Sequence, residues 1–225
     1  MLKQIFPTYI FKSDAKELNY FSDIQQEIKE YLQTKEPNYL PWFGKTHKLF
    51  EKSFNIDEAQ LLEHCPLLKN FIESEIYKFL LHINNKDVVE KSIPQLKIGS
   101  SWATKFDKGD YAHQHHHLPD EVSGVYYYQV PKTSVQDTDE SINKYDGYLY
   151  FVSPVQGHYF SPLTSPRQKT YVTPKEGSLI LFPSYLEHAV MPCNNSDESR
   201  ISISFNGSLH NHLVGKLIDE RDQAK

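Results

Sequence analysis

The sequence predicts an α+β fold, a jelly-roll-like β sandwich with N-terminal helices packed on one of its sheets. Three observations carry that expectation. Apolar residues recur at helical spacing in two long runs ahead of Pro94. Beyond it, short β-type runs are separated by turn residues. Helices therefore come first and strands afterwards, which segregates the two and argues against alternating units around a parallel sheet.

The first helix is expected from Ser13 onward, where Leu18, Phe21, Ile24, Ile28 and Tyr31/Leu32 recur every three or four residues, with Ser13 or Asp14 as N-cap. The stretch PNYLPWFGKTHKLFEK then reads as an irregular, packed loop that places Trp42 and Phe43. A second helix begins at Cys65-Pro66, where proline suits the first turn. It runs through Leu68, Phe71/Ile72, Ile76, Phe79/Leu80 and Ile83 and stops at Asn84-Asn85. Strand candidates follow at Leu96–Thr104, Ser123–Val130, Gly147–Val152, Lys169–Val172, Ser178–Phe182 and Arg200–Phe205. The tail after Leu209 reads as a polar extension with a helical stretch at Leu213–Ile218. Three regions result: 1–95 as a helical buttress, 96–207 as the β core and 208–225 as an extension.

Composition excludes several classes. With 39% hydrophobic and 24% charged residues, the 225-residue chain can bury a core and is not of disordered composition. The net charge of −5, with both signs interspersed, offers no footprint for nucleic acid or an anionic membrane. No run of eighteen apolar residues exists, and MLKQIFPTYIFKSD lacks the apolar segment of a secretion signal. Two cysteines, Cys65 and Cys193, are too few for a disulfide framework, so a reducing compartment, the cytoplasm, is expected. Oligomeric state is left open, a homodimer included.

The chemistry-bearing residues are histidines. Of eleven, four crowd into His113, His115, His116 and His117. On an extended chain His115 and His117 share a face, His116 opposes them, and His113 would extend the row. Two imidazoles on one face are half of a metal site, although a solvated His-rich tract looks the same in isolation. A second constellation adds weight. An apolar run, Leu179–Phe182, ends in a Pro183-Ser184 turn and delivers His188. Arg200 then opens a strand whose alternation puts Arg200, Ser202, Ser204 and Asn206 on one polar face, opposite Ile201, Ile203 and Phe205. An arginine facing inward needs an anionic partner, since burying an unpaired charge costs several kcal/mol. A dicarboxylate held by the guanidinium fork is one such partner, a neighbouring Asp or Glu another, and Arg200 in solvent would need neither.

Taken in order, Gly109-Asp110-Tyr111 to His115-x-His117, Ser123-Gly-Val-Tyr-Tyr-Tyr128, Gly177 to Phe182, His188 and Arg200-Ile-Ser-Ile-Ser-Phe-Asn206 resemble the 2-oxoglutarate/Fe(II) oxygenase superfamily. The likeness is greatest to its prolyl-4-hydroxylase-like members, within a group carrying H-x-H and S-G-V-Y-Y, and covers residues 96–207. The resemblance implies a double-stranded β-helix, iron(II) as cofactor, and 2-oxoglutarate and dioxygen as cosubstrates. It implies His115, His117 and His188 as metal ligands. It assigns Arg200 to the far carboxylate of 2-oxoglutarate, with Ser202 and Tyr127 assisting, and gives Ser123, Val125 and Tyr127 an inward face. His113, Ser204 and Asn206 are further candidates.

The chain departs from the family where most members read H-x-D or H-x-E: here a third histidine, His117, stands in place of the carboxylate. The spacing to Ser123-Gly124 favours His115 and His117 as the matching pair. The alternatives are water as third ligand with His117 behind it, Asp120 or Glu121 swinging in, or the pair His113/His115. Hydroxylation of an unidentified substrate, a protein side chain or small metabolite, is the expected activity, with the rim formed by loops Lys132–Lys144 and Gly157–Gln168. A non-catalytic metal-binding jelly roll and a cupin-like three-histidine dioxygenase are the competing readings.

Overall fold

The structure is a computed structural model, and it describes residues 8–34, 38–39, 48–49, 60–84, 86–92, 96–131, 146–154, 168–193 and 198–208. Two antiparallel sheets face each other. Strands β1 (Phe11–Asp14), β2 (Asn38–Tyr39), β3 (Lys48–Leu49), β4 (Lys97–Phe106), β6 (Val122–Gln129), β9 (Ser178–Pro183) and β11 (Arg200–Ser208) form the larger sheet, in the order β1-β9-β6-β11-β4-β3-β2. Strands β5 (Ala112–His115), β7 (Leu149–Val152), β8 (Lys169–Val172) and β10 (His188–Val190) form the smaller, in the order β5-β10-β7-β8. Among the described residues four α-helices accompany them: α1 (Phe21–Gln33), α2 (Leu61–His64), α3 (Pro66–Ile83) and α4 (Lys86–Ser92).

Period-two alternation divides the core. Ile203 and Phe205 of β11, Tyr126 of β6, Ala103 of β4 and Leu179 and Leu181 of β9 turn toward α1 and α3, meeting Ile24, Ile28, Leu68, Phe71, Ile72 and Ile76. The opposite positions, Tyr127, Ile180 and Phe182, pack against Leu149, Phe151 and Val172 of the smaller sheet. Helices thus cover one face of the larger sheet, as expected, and the functional residues lie on the other. Gly124 permits this closeness, since a Cβ there would lie 2.3 Å from Cζ of Phe205 and 2.8 Å from Cδ2 of Leu181.

The second helix falls where its sequence signals put it, from Pro66 to Ile83 with Cys65 and Asn84 as caps. The Cys65 side chain makes no cap bond. Glu27 of α1 does that work: its carboxylate accepts from the backbone N–H groups of Leu67 and Leu68 at 3.0 and 3.1 Å. The first helix differs. It begins at Phe21, because Phe11–Asp14 pairs with β9 as an edge strand, Phe11 opposite Leu181 and Asp14 opposite Ser178. Asp14 caps only the single 3-10 turn Ala15–Glu17, its carboxylate accepting from the N–H of Lys16 at 2.9 Å. Tertiary pairing overrides local periodicity there. The region ahead of the β core is thus not helical alone, and the aromatic stretch after Pro37 contributes β2 and β3. Trp42, Phe43, the tail after Leu209 and most of both expected rim loops lie outside the described residues.

Candidate metal centre

His115 ends β5 and stands directly opposite His188, the first residue of β10. Their rings are 4.4 Å apart between centroids. Between this pair and the next, Val190 with Ala112, β5 holds one residue more than β10. The extra residue breaks the alternation. Ala112 and His115 both line the cavity between the sheets, while His113 and Gln114 are exposed. His113 consequently does not extend the row, in contrast to the expectation from alternation: its ring stands edge-on to Tyr111, with centroids 5.1 Å apart.

His117 lies just past the end of β5 and still turns inward, because its N–H donates to the Ser184 carbonyl at 2.9 Å. Its ring centroid is 4.9 Å from that of His115 and 5.0 Å from that of His188. One ligand nitrogen from each of the three lies within 4.8 Å of the other two. His116 points outward and is exposed. Neither Asp120, which accepts from the Ser208 hydroxyl, nor Glu121 joins the cluster.

Two of the imidazoles are fixed in tautomer by their own strands. His115 Nδ1 is 2.7 Å from the His113 carbonyl and His188 Nδ1 is 2.9 Å from that of Leu186. A carbonyl only accepts, so each Nδ1 carries the proton and each Nε2 keeps its lone pair. Burial lowers all three pKa values, that of His117 and that of His188 to about 3, and the rings add to one another's cost of ionising. At neutral pH the cluster is three neutral nitrogen donors. Phe182 closes over His188 at 4.7 Å and Phe151 at 6.1 Å, which keeps one side dry.

The polar row of β11 meets the same cavity. Arg200 is 3% exposed, stacks at 4.4 Å over the Phe106 ring and donates from Nη1 to the Gly147 carbonyl at 2.5 Å. No carboxylate pairs with it among the described residues, and its buried Nε has no hydrogen-bond partner. Ser202, Ser204 and Tyr127 line the cavity as well. Burial pushes the Tyr127 phenol up to about 12, so it stays a donor at neutral pH. Asn206 does not reach the cavity lining: it accepts from the Ser123 hydroxyl at 2.8 Å. Trp102, Thr104 and Phe106, alternate residues on the inner face of β4, complete this wall. Sequence reasoning missed their part, although the alternation of Trp102 and Thr104 on the candidate strand Leu96–Thr104 was an available signal; Phe106 lies beyond that candidate's end, on the longer β4.

This donor set suits a divalent metal beside an anion. Three neutral nitrogens can hold the cation and leave positions open. The buried guanidinium, with a free edge, calls for a carboxylate.

Residues 100–206 match the family described as "Putative 2OG-Fe(II) oxygenase". This stretch is a 2-oxoglutarate/iron(II) oxygenase domain. The enzyme is therefore an oxygenase that depends on iron(II) and 2-oxoglutarate. The oxygenase's fold is similar to that of a Pseudomonas putida prolyl-4-hydroxylase, with TM-score 0.53 and 14% identity over 91% of this chain and 94% of that one. A prolyl hydroxylase from Trichoplax adhaerens, solved with a hypoxia inducible factor peptide fragment, gives 0.53 and 12% over 96% and 87%. HygX from Streptomyces hygroscopicus, solved with nickel and 2-oxoglutarate, gives 0.56 and 11% over 91% and 84%. At these identities the likeness establishes the double-stranded β-helix and leaves the substrate open. No curated protein matches the oxygenase's sequence.

Proposed function

We propose that the protein is a hydroxylase in which His115, His117 and His188 hold iron(II), while Arg200, with Ser202 and Tyr127, holds the far carboxylate of 2-oxoglutarate. The observation that carries this reading is the buried, half-used guanidinium of Arg200 lining the cavity into which three neutral imidazoles converge. When bound, the iron would supply oxidation of a substrate C–H bond to C–OH by dioxygen, one oxygen atom going to the product and the other to succinate as 2-oxoglutarate loses carbon dioxide.

The chain's own residues orient and enclose. The carbonyls of His113 and Leu186 aim two Nε2 lone pairs. The Gly147 carbonyl and Phe106 ring hold Arg200 so that its remaining N–H groups face a ligand. Tyr127 offers a phenolic proton to the same carboxylate, and Phe151 and Phe182 exclude water beside His188. In this reading residues 96–207 form the oxygenase core, 1–95 its buttress and 208–225 an extension. A protein side chain or a small metabolite is the substrate class.

Among the described residues no helix is long and apolar enough to cross a membrane, and both cysteines are free. These features support a cytoplasmic location. Arg200 speaks against a cosubstrate-free dioxygenase, which has no carboxylate for it to grip. The test is succinate formation dependent on iron(II), together with calorimetric binding of 2-oxoglutarate to the metal-loaded protein. Metal bound without any binding of 2-oxoglutarate would overturn the assignment.

A further inference from the structure

The three histidines are not held alike. His115 and His188 each have Nδ1 tied to a backbone carbonyl two residues back. His117 lies outside the regular strand, and its anchor is its own backbone N–H on the Ser184 carbonyl at 2.9 Å. Where Ser184 sits therefore decides where the third imidazole points.

Ser184 is fully buried, and Ser123 and Asn206 are buried with it. Its N–H donates to the Glu121 carbonyl at 3.2 Å. Its hydroxyl is 2.7 Å from that of Ser123, which in turn donates to Asn206 Oδ1 at 2.8 Å, and Asn206 Nδ2 reaches the Ser100 hydroxyl at 3.4 Å. A hydroxyl has one proton. Ser123 spends its own on Asn206, so Ser184 is the donor to Ser123, and the chain has a single direction from Ser184 to Asn206. It crosses the larger sheet from the end of β9 through β6 and β11 to β4. Buried hydroxyls are costly unless paired, and here the pairing is complete.

From this arrangement we infer that the hydroxyl chain Ser184–Ser123–Asn206 positions His117 as the third metal ligand. None of its members lines the cavity. The polar face of β11 thereby does two jobs: Arg200 at one end meets the cavity, and Asn206 near the other fixes the seat of His117. This inference rests on the proposed ligand set and assigns the residue that replaces the usual carboxylate its own support.

The test is a double-mutant cycle read by cobalt(II) affinity and the cobalt absorption spectrum, so no turnover is needed. Ser123→Ala should weaken cobalt(II) binding about 10- to 100-fold, the range for removing a group that orients a ligand, and should shift the spectrum. In a His117→Ala background the same change should cost nothing further. Ser184→Ala, which removes only the end of the chain, should show a smaller loss with the same dependence on His117, and covers the case in which Ser123→Ala fails to fold. An unchanged affinity, or an equal loss in both backgrounds, overturns the inference while leaving the ligand set standing. If His117→Ala itself binds cobalt(II) like the parent, the three-histidine ligand set fails as well.

Discussion

Arg200 donates from Nη1 to the Gly147 carbonyl at 2.5 Å, while its equally buried Nε has no partner. Nη1 is thus spent on holding the side chain, and Nε is left unspent in a residue that lines the cavity.

Replacing Arg200 by alanine should weaken 2-oxoglutarate binding about 30-fold or more, since truncating one partner of a buried charge pair costs about 2–5 kcal/mol. Cobalt(II) binding should change little. Calorimetry of each ligand separately checks this, and equal losses of both would contradict the division of labour between the arginine and the histidines.

Gly147→Ala should disturb the same anchor from outside. The residue has φ +62°, and a Cβ would lie 3.1 Å from Cys193 Sγ and 3.4 Å from Arg200 Nη1. Backbone strain alone costs about 1–2 kcal/mol. A lowered melting temperature with weaker 2-oxoglutarate binding and intact cobalt(II) binding is expected, measured by thermal unfolding and calorimetry.

His188→Ala should abolish tight metal binding, because that ring is one of the three that converge, 4.4 and 5.0 Å from its partners. His117→Asp restores a carboxylate at the position where most of the family has one, and should retain metal with an altered cobalt(II) spectrum. Metal content after dialysis and absorption spectra give the answer; metal retained by His188→Ala would remove that residue from the ligand set.

The metal-free protein should lose stability in mild acid. Unfolded imidazoles titrate near about 6.5, whereas folded His117 and His188 stay neutral down to about 3. Between those values the unfolded chain binds more protons, so stability rises with pH from about 3 to about 6.5 and is complete above that. Urea midpoints at about pH 7.5 and about pH 5 should differ, and the difference should shrink in a His117→Ala, His188→Ala double variant. Midpoints independent of pH in both proteins would refute it.

Much of this was legible in the residues themselves. The alternation of β11 put Arg200, Ser202 and Ser204 on the cavity side and Ile203 and Phe205 under the helices, as the structure has them. The start of α3 near Cys65-Pro66 and its stop before Asn84-Asn85 were readable from the residues, and the helix runs from Pro66 to Ile83. Reading failed where a distant segment intervened. Phe11–Asp14 has no strand signal strong enough to outweigh the helical spacing that follows it, and only pairing with β9 makes it a strand. His113 follows the pattern of His115 and His117 by number, yet the extra residue in β5 turns it outward. Asn206 looked like a candidate for the ligand face, and its amide is instead engaged by Ser123 and Ser100.

By itself the sequence determined which residues share a face, where α3 starts and stops, and which side chains are able to bind a metal and an anion. Those are properties of neighbours along the chain, set by backbone geometry and side-chain chemistry. Only the tertiary structure decided that His117, although beyond its strand, joins His115 and His188, and that His113 does not. The physical reason is that a bulge, and a backbone hydrogen bond from His117 to Ser184, depend on pairing between segments remote in sequence, which no local pattern encodes.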